Sequence, residues 1–520
     1  MDFLDALTRV NGVINDFVWV KIGLFLLLGT GVLMTVMTGF FQIRHLPHWL
    51  KMTVGSMRSK KVTAHTEGNS ISQFQALCTA LAATVGVGNI AGVAAAICSG
   101  GAGAVFWMWV AAFLGMMTGY SEKVLGIYFR RKNDAGEWSG GAMYYLRDGF
   151  GALPGCKTLG KILAAVFAVC CLLASFGIGN MGQVNKIVAN IESAFPIDAL
   201  SSRVLYESGG GKVTLYAVVL GVILVVLGAL VILGGLQRIA SFAEKIVPFM
   251  VVLFVAGSLI VIAVNYDAIG DAFRAIFVTA FSPKAAWGGI TGLAIKTVMT
   301  WGFKRGVFSN EAGLGSSVMV HANAKVVEPV RQGMWGIFEV FTDTMLVCTM
   351  TAMVILTSGV IDLQTGQIAP GAGTDATLVA SAFDTVFQIG GVSFGGKFIA
   401  VTILLFSFTT IVGWSYYGTK AVEYLFGTKA TKVYKLVFVL MIISGAVLTS
   451  SIAWDISDTF NGMMMIPNLI GVISLSGLVR KITKNYTDRH FKGKKDIEPM
   501  LSYDPKIQNE QLFKLAEEEE

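Results

Sequence analysis

Continuous apolar runs of about 20 residues or more, parted by short charged stretches, recur along the whole chain. Eleven runs predict membrane-spanning helices, at 17–40, 71–98, 104–129, 162–189, 213–233, 240–264, 290–320, 334–357, 398–422, 434–448 and 456–479. A membrane β-barrel would instead alternate apolar and polar positions over segments of about ten residues. The fold class this pattern predicts is an all-α polytopic membrane protein with about 11 transmembrane helices.

Two runs break the pattern. Gly86-Val87-Gly88-Asn89-Ile90-Ala91-Gly92 interrupts the second, and Gly302-Phe303-Lys304-Arg305-Gly306 interrupts the seventh. Lipid offers backbone N–H and C=O groups no partner, so non-helical backbone persists at membrane depth only where it lines a cavity enclosed by protein. Helices broken at mid-membrane mark transport sites.

The interruptions also divide the chain. Runs two to six and seven to eleven form two sets of five, each opening with an interrupted helix. An odd number per set makes the second enter the membrane from the opposite side, as an inverted repeat. The expected units are 1–70, an extra N-terminal helix with a cytoplasmic loop; 71–265 and 288–480, the two five-helix repeats; and 481–520, a cytoplasmic tail whose closing stretch, with its run from Glu517 to Glu520, is expected to be disordered. Between runs, Leu378, Ala382, Val386 and Ile389 mark one face of a short outer amphipathic helix, fitting either a surface helix or a lid.

Composition agrees. Hydrophobic residues make up 54% and charged ones 14%, against about 25% charged in globular chains; mean hydropathy is +0.66. The net charge of +7 is no nucleic-acid footprint, because the cations gather at particular helix ends. Arg44, Lys51, Arg58, Lys60 and Lys61, then Arg130, Arg131 and Lys132, then Lys420, Lys429, Lys432 and Lys435 fall on one side if the runs alternate. The tail cations from Arg480 to Lys495 join them. The positive-inside rule then puts the N-terminus outside and the C-terminus in the cytoplasm of a cell membrane. The six cysteines lack CxxC spacing and read as small packing residues. The opening MDFLDALTRVNGVIND has neither a basic start nor an unbroken apolar core, so no cleavable signal is expected.

Gly86-Val87-Gly88-Asn89-Ile90-Ala91 formally fits a dinucleotide fingerprint, but that motif needs a preceding strand in a βαβ unit and here both flanks are apolar helix. Gly88 and Gly92 also fit a close helix-packing motif. A ligand site uses more of the segment. Carbonyls freed where a helix unwinds coordinate a cation, and N–H groups opening the next half attract a carboxylate. Asn89 adds a neutral hard oxygen. Asp343 lies about ten residues into the eighth run, with Glu339 a turn before it, and intramembrane acids are functional candidates. The alternatives are an ion pair with Lys296 or Lys304, or a protonation site. No metal cluster or Ser-His pair recurs at membrane depth, so no catalytic residues and no enzyme are expected.

LCTALAATVGVGNIAGVAAAICSGGAGAVFWMWVAAFLGM at 77–116, GFKRGVFSNEAGLGS at 302–316 and FSFTTIVGWSYYG at 406–418 closely resemble the alanine or glycine:cation symporter family. The likeness runs from about residue 15 to 503; FSNEAGLGS is its most specific motif, while Val87, Ala102 and Ala142 stand where that family usually has Thr, Pro and Pro. The resemblance implies a LeuT-type fold, a 5+5 inverted repeat behind one extra N-terminal helix, and Na+-coupled symport of alanine or glycine by alternating access. It implies two Na+ positions. One uses the oxygens of Ala82, Val85, Thr409 and Thr410; the other uses Thr84, Asn89 and Asp343 or Thr344. Against the first stands the habit of membrane threonines to bond the carbonyl a turn earlier. For substrate contact the expected residues are Gly86, Gly88, Asn89, Phe176, Gln183, Thr300, Gly302 and Trp414, and for a cytoplasmic gate Lys304, Arg305 and Glu311. No cofactor is expected beyond co-transported Na+, and the expected partners are alanine or glycine, Na+ and the bilayer, with no nucleic acid. The rival functions are a proton-coupled amino-acid permease and a channel.

Overall fold

A computed structural model describes residues 3–63, 70–208, 211–281, 295–390, 392–448, 452–494 and 496–519. The start of the seventh run at 290, the boundary at 288, Lys495 and Glu520 lie outside the described residues.

The long helices are α1 (Ala6–Met37), α2 (Gln73–Thr84), α3 (Ala91–Gly100), α4 (Ala104–Tyr128), α5 (Lys157–Ala194), α6 (Leu215–Ile232), α7 (Gly235–Val264), α8 (Ile295–Asn310), α9 (Pro329–Thr357), α10 (Gly395–Phe426), α11 (Ala430–Val447), α12 (Ile452–Ser474), α13 (Ser476–Lys492) and α14 (Pro505–Glu519). Among the described residues eight helices are long and apolar enough to cross a membrane, or nine when the pair bent by 57° between α12 and α13 is one span. The broken α2–α3 and the α8 segment make this compatible with eleven crossings. On α6, Val219, Val222, Val226 and Leu230 are exposed at helical spacing, an apolar stripe that only lipid covers well.

Helix α2 starts on a reciprocal cap: Ser72 Oγ accepts the Gln75 N–H and Gln75 Oε1 accepts the Ser72 N–H, both at 3.0 Å. It stops at Val85, where ψ turns to 93°. One turn of 3-10 helix, Val87–Asn89, precedes α3.

The seventh run departs from expectation. Helix α8 passes unbroken through Gly302 and Gly306. A Cβ on Gly302 would meet the Ala104 carbonyl oxygen at 2.4 Å, and one on Gly306 would meet Ala111 Cβ at 3.1 Å. These glycines let α8 lie close against α4, a packing role. The second break is instead at residues 311–317, after α8, where Glu311 (φ 54°), Gly313 (φ 95°) and Gly315 (φ 75°) adopt left-handed backbone.

Helix α9 packs on α4 through Gly333 and Gly336, whose added Cβ atoms would meet Tyr120 and the Gly119 carbonyl. Lys123 enters this seam and pairs with Glu339 at 3.1 Å, and His321 Nε2 lies 3.0 Å from the same carboxylate. Glu339 therefore answers Lys123 and His321, with neither Lys296 nor Lys304 as its partner.

The tail is ordered where disorder was expected. The Tyr503 N–H donates to the Tyr128 carbonyl at 2.9 Å, and Leu501 and Leu515 pack on Val327. The helix Ala376–Asp384 buries Leu378 and Ala382 as its pattern predicted, while Val386 and Ile389 fall beyond its end.

Candidate functional site

The α2–α3 break is held open by Asn89. Its Oδ1 accepts the Gly86 N–H at 2.9 Å, which a continuous helix would direct at the Ala82 carbonyl. The Asn89 N–H turns to the Gly86 carbonyl, so the Val85 carbonyl also loses its helical donor. Two of the carbonyls expected to face a cation are thus released from the ladder.

The Asn89 amide nitrogen points the other way. Nδ2 donates to Asp343 Oδ1 and to Ser309 Oγ, both at 2.8 Å. Ser309 Oγ and Thr344 Oγ1 donate to Asp343 Oδ2, the latter at 2.9 Å. Asn310 Nδ2 reaches Thr344 Oγ1 at 3.1 Å, and Cys348 Sγ lies 3.2 Å from Ser309 Oγ. Asn89, Asp343 and Thr344 are fully buried. Asp343, Thr344 and Cys348 lie on the widened π-helical turn Phe341–Cys348 within α9, a local irregularity common at functional sites. The sequence reading brought Asn89, Asp343 and Thr344 together but missed Ser309, inside the FSNEAGLGS motif, and Cys348.

Thr409 and Thr410 on α10 both donate to the Phe406 carbonyl, at 2.9 and 3.0 Å, the helix-internal bond weighed against them. Their hydroxyl oxygens keep acceptor capacity. Thr410 stands at the break: a Cβ on Gly86 would fall 2.8 Å from its Oγ1. Gly413, a turn on, sits against Ala83, where an added Cβ would meet the Ala83 nitrogen at 2.8 Å.

Beside the break lies a cavity of about 20 Å³. Thr84, Gly86 and Gly88 line it, together with Gln183, Thr410 and Trp414. Phe308, Glu311 and Asn461 also line it. Trp414 Nε1 donates to Glu311 Oε1 at 3.1 Å, and Ser316 donates to Glu311 Oε2. The loop carrying Glu311 is anchored from α4 and α12. Glu122 Oε1 accepts the Gly313 N–H at 3.1 Å, and Asn468 Nδ2 donates to the Gly313 carbonyl at 2.8 Å.

Of the expected substrate residues, Gly86, Gly88, Gln183 and Trp414 line this cavity, and Asn89 supports it from behind. Phe176 does not: its ring packs on Tyr434 and Phe438, at 5.5 and 6.0 Å between centroids, and Phe308 supplies the aromatic wall instead. Thr300 and Gly302 also lie elsewhere, because α8 does not break there. Thr300 precedes Glu311 by eleven residues, about 16 Å along a helix.

The three residues expected at a gate have different surroundings in this structure. Lys304 faces Asp458, Asp16 and Asp455, at the end that holds the N-terminal helix. The Arg305 guanidinium stacks 5.3 Å over Trp301 and 5.8 Å over Phe308. Glu311 belongs to the cavity, and among the described residues no ion pair joins the three. Asn461 and Phe308 were missed by the sequence reading. Asn461 had no signal beyond a polar residue in an apolar run.

The sodium:alanine symporter family profile matches residues 4–500 of the chain. The sodium/alanine symporter AgcS of Methanococcus maripaludis is 43% identical over 490 residues, covering 94% of this chain and 98% of that one. The putative sodium/proton-dependent alanine carrier protein YrbD of Bacillus subtilis is 34% identical over 503 residues, covering 95% and 94%. Among solved structures, MhsT in complex with L-phenylalanine superposes with a TM-score of 0.50 at 13% identity, over 81% of this chain and 99% of that one. That likeness concerns the LeuT-type fold alone.

Proposed function

The chain belongs to the sodium:alanine symporter family, and we propose that the cavity beside the α2–α3 break is where it couples Na+ to its substrate. The protein is a transporter, a sodium-coupled symporter of a small neutral amino acid, and not an enzyme. The observation that carries the assignment of the site is the diversion of the Gly86 N–H onto Asn89, which frees main-chain groups next to a polar cavity.

In this reading the substrate carboxylate meets the N–H group at Gly88, beside the Gly86 N–H that Asn89 holds. One Na+ takes the released carbonyls of Ala82 and Val85 with the hydroxyl oxygens of Thr409 and Thr410. A second position uses the Thr84 carbonyl, the Asn89 side chain and Asp343 or Thr344. Na+ is cargo here, held by hard oxygens that give it up again. The cavity is smaller than an amino acid, since one water needs about 10–15 Å³ on the same measure. Admitting alanine therefore requires the walls to part, as alternating access demands. Bulky walls such as Trp414 and Phe308 favour a small side chain by overlap with longer ones, and the excess of cations on one set of loops favours an N-terminus outside.

The driving force suffices. Across about 100 mV one charge gains ~2.3 kcal/mol, and a tenfold Na+ gradient adds ~1.4 kcal/mol. One Na+ per substrate then sustains roughly 500-fold accumulation. The test is uptake of labelled alanine into proteoliposomes with Na+ replaced by choline at fixed pH. Uptake that collapses supports Na+ coupling; uptake that persists unchanged points to the proton-coupled rival. Alanine flux that equilibrates rapidly but never accumulates against a gradient would point to a channel.

A further inference from the structure

Three buried side-chain oxygens on residues that line the cavity lack a partner. Thr84 Oγ1, Gln183 Oε1 and Asn461 Oδ1 have no hydrogen-bond partner among the described residues, and all three residues line the cavity. They are 5%, 5% and 2% exposed. Gln183 is oriented by its other end, where Nε2 donates to the Ile178 carbonyl at 3.1 Å, and its Oε1 lies 3.7 Å from where a Cβ on Gly86 would stand. Beside them lies the Glu311 carboxylate, 6% exposed. It accepts from Trp414 and Ser316, and among the described residues no cation pairs with it. A buried carboxylate is costly unless paired, and buried acceptors left open cost nearly as much as lost hydrogen bonds. Three acceptors around one negative charge suit a group that carries three N–H donors and one positive charge.

We propose that Glu311, Asn461, Gln183 and Thr84 form an ammonium pole that restricts the substrate to amino acids with an unsubstituted α-ammonium group. The proposal rests on the reading of this cavity as the substrate pocket. It gives Glu311 the role of counter-ion to the substrate and makes Asn461, contributed by α12, a determinant of specificity. The carboxylate end then lies toward Gly86 and Gly88 and the ammonium end toward Glu311, so the zwitterion spans the two helix breaks. Replacing an ammonium N–H by a methyl group strands one acceptor, and removing the nitrogen strands all of them and leaves Glu311 unpaired.

The experiment competes unlabelled compounds against labelled alanine in proteoliposomes of the full chain under an inward Na+ gradient. In the wild-type protein N-methylalanine is expected to inhibit about tenfold less well than alanine, and N,N,N-trimethylalanine and propionate not at all. Steric exclusion of the methyl group alone predicts the same order, so Asn461→Leu supplies the discriminating comparison. With its acceptor gone, alanine should lose about tenfold in apparent affinity and N-methylalanine much less, so the ratio between them narrows. Glu311→Gln, which keeps the shape, should raise the alanine concentration for half-maximal uptake more than tenfold while the Na+ requirement stays within twofold. An unchanged ratio in Asn461→Leu overturns the proposal. So does a shift confined to the Na+ requirement, which would make these oxygens a cation site, or equal inhibition by alanine and N-methylalanine in the wild type, a comparison that depends on no variant folding. Absence of any Na+-dependent alanine uptake in the wild type would instead defeat the underlying reading of the pocket.

Discussion

Asn89 Oδ1 accepts the N–H of Gly86 at 2.9 Å across the turn that separates α2 from α3, so one side chain stands in for the helical bond that the break gives up. The same residue's Nδ2 holds Asp343 at 2.8 Å. A single amide thereby fixes both the shape of the break and the position of the nearest buried acid. Asn89→Ala removes both contacts and leaves a backbone donor and a carboxylate oxygen short of partners, at about 1–3 kcal/mol each. Na+-dependent alanine uptake is expected to fall at least tenfold, while size-exclusion chromatography in detergent still shows folded protein. Normal uptake would remove Asn89 from the site.

Gly86→Ala tests the other face of the break. Its Cβ would fall 2.8 Å from Thr410 Oγ1, too close for either group to stay in place. Thr410 must swing away or the break must shift, and both disturb the proposed Na+ position. The Na+ concentration for half-maximal alanine uptake should rise about tenfold or more. Gly29→Ala on α1 is the control, because nothing lies within 4 Å of its added Cβ. A Na+ titration in which the two variants behave alike contradicts the assignment.

Gly302→Ala should fail in a different way. Its Cβ would lie 2.4 Å from the Ala104 carbonyl and 2.6 Å from Trp107 Cβ, so it forces α8 off α4. Overpacking of this kind costs about 1–3 kcal/mol. The expected result is a lower thermal unfolding midpoint in detergent, with the apparent alanine affinity of the surviving folded fraction unchanged. A change in affinity at full stability would return Gly302 to the substrate site, where sequence reasoning had placed it.

The contrast between these glycines explains what the sequence could disclose. Around Gly86 the polar Thr84 and Asn89 accompany the glycines, and in an apolar run such polar groups need partners, so the break was legible. Gly302 and Gly306 are spaced one helical turn apart, and that spacing serves close packing as well as interruption. Only the neighbouring helix, through Ala104 and Ala111, decides between the two. The second break at 311–317 overlaps the motif FSNEAGLGS but carries no local signal of a break, because Glu311 adopts a left-handed conformation that most residues avoid. Helix existence and order followed from apolar periodicity alone. Long-range partners such as Lys123 for Glu339, or Asn468 for Gly313, have no trace in any local pattern.

Acidification should loosen the contact between the segment after α1 and helix α13. His48 Nε2 lies 3.0 Å from the Tyr486 hydroxyl, and its ring packs edge-on to Phe491 at 4.7 Å between centroids. Partial burial, then the facing His490, His45, Arg331 and Lys51, pushes His48 from 6.5 down to about 4. The folded protein therefore binds a proton here less readily than the unfolded chain does. The contribution to stability is full above about pH 6.5 and is lost progressively as the pH falls toward 4. His45, also lowered, by burial and by Arg44, acts in the same direction. Glu328 has the opposite chemistry: His490, Arg331 and Arg489 outweigh its burial and hold its carboxyl below 4.5, so its contribution is lost only below that pH. Thermal unfolding midpoints of the detergent-solubilised protein should drop between pH 6.5 and 4.5, and His48→Gln should flatten that drop while leaving the part due to His45. Equal slopes in the wild type and His48→Gln would show that this ring does not sense the proton.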